Sequence, residues 1–117
     1  MKRVLIVDDG VFMRTLIKGL LTKNGYEIVG EAEDGLIAIE KFKELKPDLV
    51  TMDITMPNMD GLASLKEIMK IDADANVVMI SAIGQEEAIK DAIISGAKGF
   101  IVKPFDENEL VSIIEGI

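Results

Sequence analysis

The chain of 117 residues contains no cysteine and no histidine. Without cysteine there is no disulfide framework, no thiol nucleophile and no cysteine-based zinc cluster. Without histidine it lacks the usual general base near neutral pH, the commonest metal ligand and any phosphohistidine of its own. Basic residues are also scarce: 13 Lys and Arg against 21 Asp and Glu leave a net charge of -8. So acidic a chain lacks the basic patch that binding to a phosphate backbone requires, and no nucleic-acid partner is expected. No apolar run approaches the ~20 residues of a membrane span. The opening Met1-Lys2-Arg3 is followed by a short apolar run and two acids, Asp8 and Asp9, which is unlike a signal peptide. A cytoplasmic setting without membrane attachment is expected.

What is present is an ordinary folding composition, 49 % apolar and 29 % charged, in a length that suits one domain with a single core. Residues 3 to 7 form an apolar, β-branched run stopped by Asp8-Asp9-Gly10. From Val11 the period changes: Phe12, Leu16 and Leu20 fall four apart, with Met13, Ile17 and Leu21 beside them, predicting a helix that ends before Asn24-Gly25. Tyr26 to Ala32 is a second strand, and Asp34-Gly35 opens a helix carrying Ile39, Phe42 and Leu45 up to Lys46-Pro47. Leu49 to Asp53 is the third strand, followed by a turn-rich loop, 56–61, and a helix marked by Leu62, Leu65, Ile68 and Met69. Asn76 to Ile80 is the fourth strand. A helix over 87–95 follows, with Ala88, Ala92 and Ile93 inward, closed by Gly96. Gly99 to Val102 is the fifth strand, and Asp106 caps a last helix through Leu110, Val111, Ile113 and Ile114.

Five apolar strands alternating with five amphipathic helices predict an α/β fold, a doubly wound parallel sheet covered on both faces. Functional groups in such sheets gather beyond the carboxyl ends of the strands. Those ends carry Asp8 and Asp9, Asp53, Ser81 and Lys103. Three carboxylates held together repel unless a cation sits among them, and oxygen ligands favour Mg2+, Mn2+ or Ca2+. Lys103 supplies a fixed counter-charge and Ser81 a hydrogen-bond donor for a transferred phosphoryl group. Phosphoryl transfer asks mainly for positioning and neutralisation, and Asp53 is the candidate nucleophile for an acyl phosphate. Taken singly, each of these residues is equally well a polar strand terminator.

The whole chain resembles the receiver domain of two-component response regulators. The resemblance rests on Val7-Asp8-Asp9, the stretch Met52 to Gly61, Ser81-Ala82, Gly96-Ala97 and Phe100-Ile101-Val102-Lys103-Pro104-Phe105, in that order. It implies one receiver domain over residues 1–117, with strand order 2-1-3-4-5. It further implies that Asp53 accepts a phosphoryl group from a phosphohistidine on a sensor histidine kinase. Asp9, Asp53 and the backbone carbonyl of Thr55 would bind Mg2+, and Asp8 would hold a metal-bound water. Lys103, joined to Pro104 by a cis peptide bond, would contact the phosphoryl oxygen. Ser81 and Phe100 would act as the switch pair, Ser81 moving toward the phosphoryl group and Phe100 swinging inward. Such a domain is not an enzyme beyond assisting its own phosphorylation and dephosphorylation.

Phe12-Met13-Arg14, Thr51 to Pro57 and Ser81-Ala82-Ile83-Gly84-Gln85 are similar to CheY-type chemotaxis regulators, stand-alone receivers that act on the flagellar motor switch. The resemblance then implies a monomer whose 84–117 face reads out to that partner, with Lys90, Ile94, Lys98 and Glu109 as contacts and a phosphatase as a further partner. In packing terms Phe12 and Met13 are expected inside and Arg14 on a solvated face. Gly10 and Phe100 depart from the usual CheY pattern: Gly10 replaces a side chain and loosens the first helical turn, and Phe100 has no hydroxyl. Two other outputs share the receiver, a transcription regulator and a phosphorelay intermediate; the absence of residues after Ile117 favours the stand-alone form. Two unrelated functions are disfavoured. An aspartyl phosphatase would want Asp-x-Asp where Asp53-Ile54-Thr55 stands, and a flavin-binding module would find its phosphate repelled by Asp8-Asp9.

Overall fold

Two periodicities alternate along the chain, and each element forms where its own period is met. The computed structural model describes residues 2–117. Its elements are β1 (Arg3–Val7), α1 (Val11–Lys23), β2 (Glu27–Ala32), α2 (Gly35–Leu45), β3 (Leu49–Asp53), α3 (Gly61–Ile71), β4 (Val77–Ser81), α4 (Glu86–Ile94), β5 (Gly99–Val102) and α5 (Glu107–Glu115). The strands pair in parallel in the order β2-β1-β3-β4-β5, the doubly wound sheet that the sequence predicts. Parallel strands need a long crossover, and α1 to α4 supply the four between the five strands.

Successive side chains of a strand point to opposite faces, so runs apolar at every position are buried on both sides. Leu5, Val7, Val50, Met52, Val77 and Met79 pack against Ala38 and Phe42 of α2, Leu65 and Ile68 of α3 and Ala92 of α4. Val4, Ile6, Leu49, Val78, Ile80 and Ile101 pack on the other face against Ile17 and Leu21 of α1 and Leu110 and Ile114 of α5. The chain thus leaves β1 over one face and β3 over the other. A crevice opens where these neighbouring strands diverge.

Two helices bury only part of the apolar stripe expected of them. Phe12 is 81 % exposed and Leu16 39 %, whereas Ile17 and Leu21 are fully covered; Met13 and Leu20 are partly buried beside them. In α4, Ala92 points inward, and Ala88 and Ile89 lie four and three residues before it on the same side. Ile93, one residue on and so turned by about 100°, is exposed instead. Both helices carry two adjacent apolar lines, and only contact with the sheet chooses between them. Strand ends move by one residue: β2 starts at Glu27, not Tyr26, and β4 runs to Ser81. Asp34, Asp60 and Asp106 each accept the backbone N–H three residues on and so cap α2, α3 and α5.

Candidate functional site

Register brings the acids together. Val7 of β1 pairs with Met52 of β3, so Asp8 and Asp53, the next residues, leave the sheet side by side. Carboxylate oxygens of Asp8, Asp9 and Asp53 lie within 4.8 Å of one another. Asp8 is tied on all sides. Its N–H donates to Ala32 at 3.0 Å, and its carbonyl accepts from Arg14 Nη1 at 2.6 Å. Its carboxylate accepts from Gly10 N at 2.9 Å and Lys103 Nζ at 3.3 Å. Lys103 also faces Asp53 at 3.6 Å, and is joined to Pro104 by a cis peptide bond. Asp9 alone of the three is open to solvent.

Asp53 is 7 % exposed, and its carboxyl is pushed up to about 6. Burial is the largest cause and the charge of Asp8 the next; Lys103 opposes them and Asp9 adds to them. The acids therefore hold more negative charge than the Lys103 ammonium offsets. An all-oxygen donor set of this charge, open on the Asp9 side, fits a hard divalent cation that keeps some of its water, as Mg2+ does.

The loop after β3 is held from below. Gly61 opens α3 with its N–H on the Ile54 carbonyl at 2.7 Å, and a Cβ there would lie 2.0 Å from the Asp53 carbonyl oxygen. Only glycine permits that approach. Asp34, besides capping α2, accepts from Asn58 Nδ2 at 2.8 Å, and these bonds hold its carboxyl below the usual range. Asn58 itself sits at φ 65.

Ser81 follows Ile80, the partner of Asp53 in the sheet. It is wholly buried, and its hydroxyl donates to the Ile101 carbonyl at 3.5 Å. Thr55 accepts at Oγ1 from Gln85 Nε2 at 2.8 Å. Phe100 is 41 % exposed, beside an open depression of about 370 Å³ lined by Ile83, Ile89, Lys90 and Val102 among others. Lys90, Ile94, Lys98 and Glu109 are all exposed.

Asp8, Asp9, Asp53 and Lys103 thus form one cluster, with Ser81 and Thr55 on the adjoining loops. Arg14 departs from expectation: its side chain is only 13 % exposed, bound to Asp8 and, at 3.2 Å, to Glu31. Sequence reasoning missed this, as it missed the Asp34–Asn58 bond and the parts played by Gly61 and Gln85, which it held only as members of motifs. Arg14 four residues after Gly10 on a helix start was the available signal, since that spacing turns it back over Asp8. Gly10 has φ -92 and ψ 122, ordinary extended backbone, so nothing in its conformation requires glycine.

Acids at the ends of β1 and β3, with a lysine beyond β5, define a receiver, and the response regulator receiver domain model matches residues 4–115. The chain belongs to that family, whose members serve two-component response regulators. Within it the chain is CheY-like. Chemotaxis protein CheY of Bacillus subtilis is 59 % identical over 112 residues, 96 % of this chain and 93 % of that protein. CheY of Thermotoga maritima is 55 % identical over 116 residues, 99 % of this chain and 97 % of that one. Among solved structures, the CheX-CheY-BeF3-Mg+2 complex from Borrelia burgdorferi matches with a TM-score of 0.95 at 44 % identity, covering 98 % of this chain and 87 % of that one. Among the described residues, no helix is long and apolar enough to cross a membrane.

Proposed function

We propose that this receiver is a chemotaxis switch phosphorylated on Asp53 by a sensor histidine kinase. The carboxylate oxygen of Asp53 forms the bond to phosphorus as the donor's phosphorus–nitrogen bond breaks. The observation that carries the choice of Asp53 is the contrast between the two buried acids: Asp8 is engaged by Gly10 and Lys103, while Asp53 has only the looser ion pair to Lys103 at 3.6 Å. Mg2+, held by Asp9, Asp53 and the Thr55 carbonyl with Asp8 orienting its water, would neutralise the charge gathered there. Lys103, already anchored on Asp8, swings little to meet a phosphoryl oxygen. The chain turns over no external substrate.

A phosphoryl group adds about -1.5 to -2 charges and strong acceptors. It draws on the Ser81 hydroxyl, now spent on Ile101, and frees the space into which Phe100 moves. Residues 84–117 then present a changed face, with Lys90, Ile94, Lys98 and Glu109 exposed on it. The motor switch is proposed as its reader because the similar proteins are chemotaxis regulators. A phosphatase partner belongs to the same proposal, and the Borrelia CheY is bound to CheX.

Intact-mass measurement after incubation with acetyl phosphate and Mg2+ tests the acceptor: a labile phosphate adduct is expected, absent in Asp53→Asn. No adduct on the native protein refutes it. A motor-switch peptide is expected to bind more tightly with beryllofluoride present; equal affinity rejects the chemotaxis output and leaves the other receiver outputs.

A further inference from the structure

At the end of β4 the sheet ladder leaves one N–H without a strand partner. Ser81 turns its carbonyl to β5, accepting from Lys103 N at 2.8 Å. In a trans peptide the following N–H points the opposite way, so that of Ala82 faces the end of β3. Ile54 N donates to Ile80 O at 3.1 Å, and an unbroken parallel ladder would return the Ala82 N–H to Ile54 O. That carbonyl is taken by Gly61 N at 2.7 Å, because the chain turns away into α3. Gln85 fills the gap: its Oε1 accepts from Ala82 N at 2.6 Å, and its Nε2 donates to Thr55 Oγ1 at 2.8 Å. The amide orientation is forced, since a backbone N–H only donates. Although Gln85 precedes α4 at the cap position, its side chain makes no capping bond to that helix. It is spent wholly on joining two loops.

We propose that Gln85 is a positioning residue, a latch that ties the loop after β4 to the loop after β3 in the unmodified protein and opens when Asp53 carries a phosphoryl group. This rests on the phosphoacceptor role of Asp53. A phosphoryl group there sets strong acceptors beside an N–H that Gln85 holds, and drawing Ser81 toward it drags Ala82 along. Either movement must break the bond to Oε1. Ala82 and Thr55 are both exposed, so water can replace either bond and the latch opens at low cost. Gln85 therefore weights the unmodified arrangement without touching the reacting atoms.

Amide hydrogen exchange at Ala82, and calorimetric titration with beryllofluoride at saturating Mg2+, are compared in the native protein, Gln85→Ala and the shape-keeping Gln85→Met. The Ala82 N–H is expected to be protected in the native protein and to exchange freely in both variants. Both variants are expected to bind beryllofluoride roughly 3- to 10-fold more tightly, the effect of one net hydrogen bond lost from the unmodified state. Mg2+ affinity is expected to stay within about twofold, because Gln85 meets Thr55 at its hydroxyl and not at the carbonyl proposed to face the metal; a merely structural role would not separate the two ligands in this way. Unchanged exchange at Ala82, or beryllofluoride binding no tighter than native, overturns the latch. If the native protein fails to bind beryllofluoride, the role of Asp53 falls, while the exchange comparison still decides whether Gln85 ties the loops.

Discussion

Replacing Asp53 by asparagine is expected to stabilise the metal-free protein at neutral pH. The carboxyl lies at about 6 in the folded site against an ordinary 3.8, roughly 2 units, which at 1.36 kcal/mol per unit sets a ceiling of about 3 kcal/mol. The site is open to water on the Asp9 side, and screening reduces this to about 1–2 kcal/mol. The sign follows from proton binding: between pH 4 and 6 the folded state keeps a proton that the unfolded chain has lost. The contribution of Asp53 is therefore full below about 3.8 and disappears as pH rises through about 6. Asparagine keeps the shape of the neutral acid and carries no charge, so the variant should be the more stable protein at pH 7, melting about 3–10 °C higher. Below pH 4 the two should converge. Urea unfolding followed by far-ultraviolet circular dichroism from pH 3.5 to 7.5, in chelator, measures the difference, and taking that difference cancels the other carboxylates. Added Mg2+ should raise the native protein at pH 7 by more than it raises the variant. An Asp53→Asn protein no more stable than native at pH 7, or an advantage that persists unchanged at pH 3.5, would refute the electrostatic account of the site.

Two further substitutions test how the site is built. Gly61→Ala pushes a Cβ to 2.0 Å from the Asp53 carbonyl and is expected to cost about 3 kcal/mol or more despite alanine's better helix propensity; a loss under about 1 kcal/mol in urea unfolding would mean the loop is not held against β3. Ile17→Ala should cost about 2–5 kcal/mol, whereas Phe12→Ser, at a residue 81 % exposed, should stay within about 0.5 kcal/mol of native. The reverse order would show that α1 buries its other apolar line.

Much of this was legible in the chain as written. Strands of almost continuous apolar residues, broken by Asp8, by Asp53 and by Lys103, require a sheet covered on both faces with its charged groups at one edge, because a buried strand can change to charged residues only where it leaves the core. The caps at Asp34 and Asp106 are equally local, each acting on a backbone group three residues away. What local sequence cannot decide is rotation and long-range register. Phe12 and Ile17 lie on two helical lines of similar apolarity, and contact with Val4 and Ile6 selects the second. Lys103 meets Asp8 across 95 residues only because β5 and β1 end at the same edge of a sheet that reverses its winding between β1 and β3. The Gln85 tie depends on where a ladder breaks, and that is set by Gly61 taking the Ile54 carbonyl. The sequence by itself determined which chemical groups stand at the strand ends; the tertiary structure alone decided which of them share a charge, a hydrogen bond or a loop, since those distances exist only once the strands are in register.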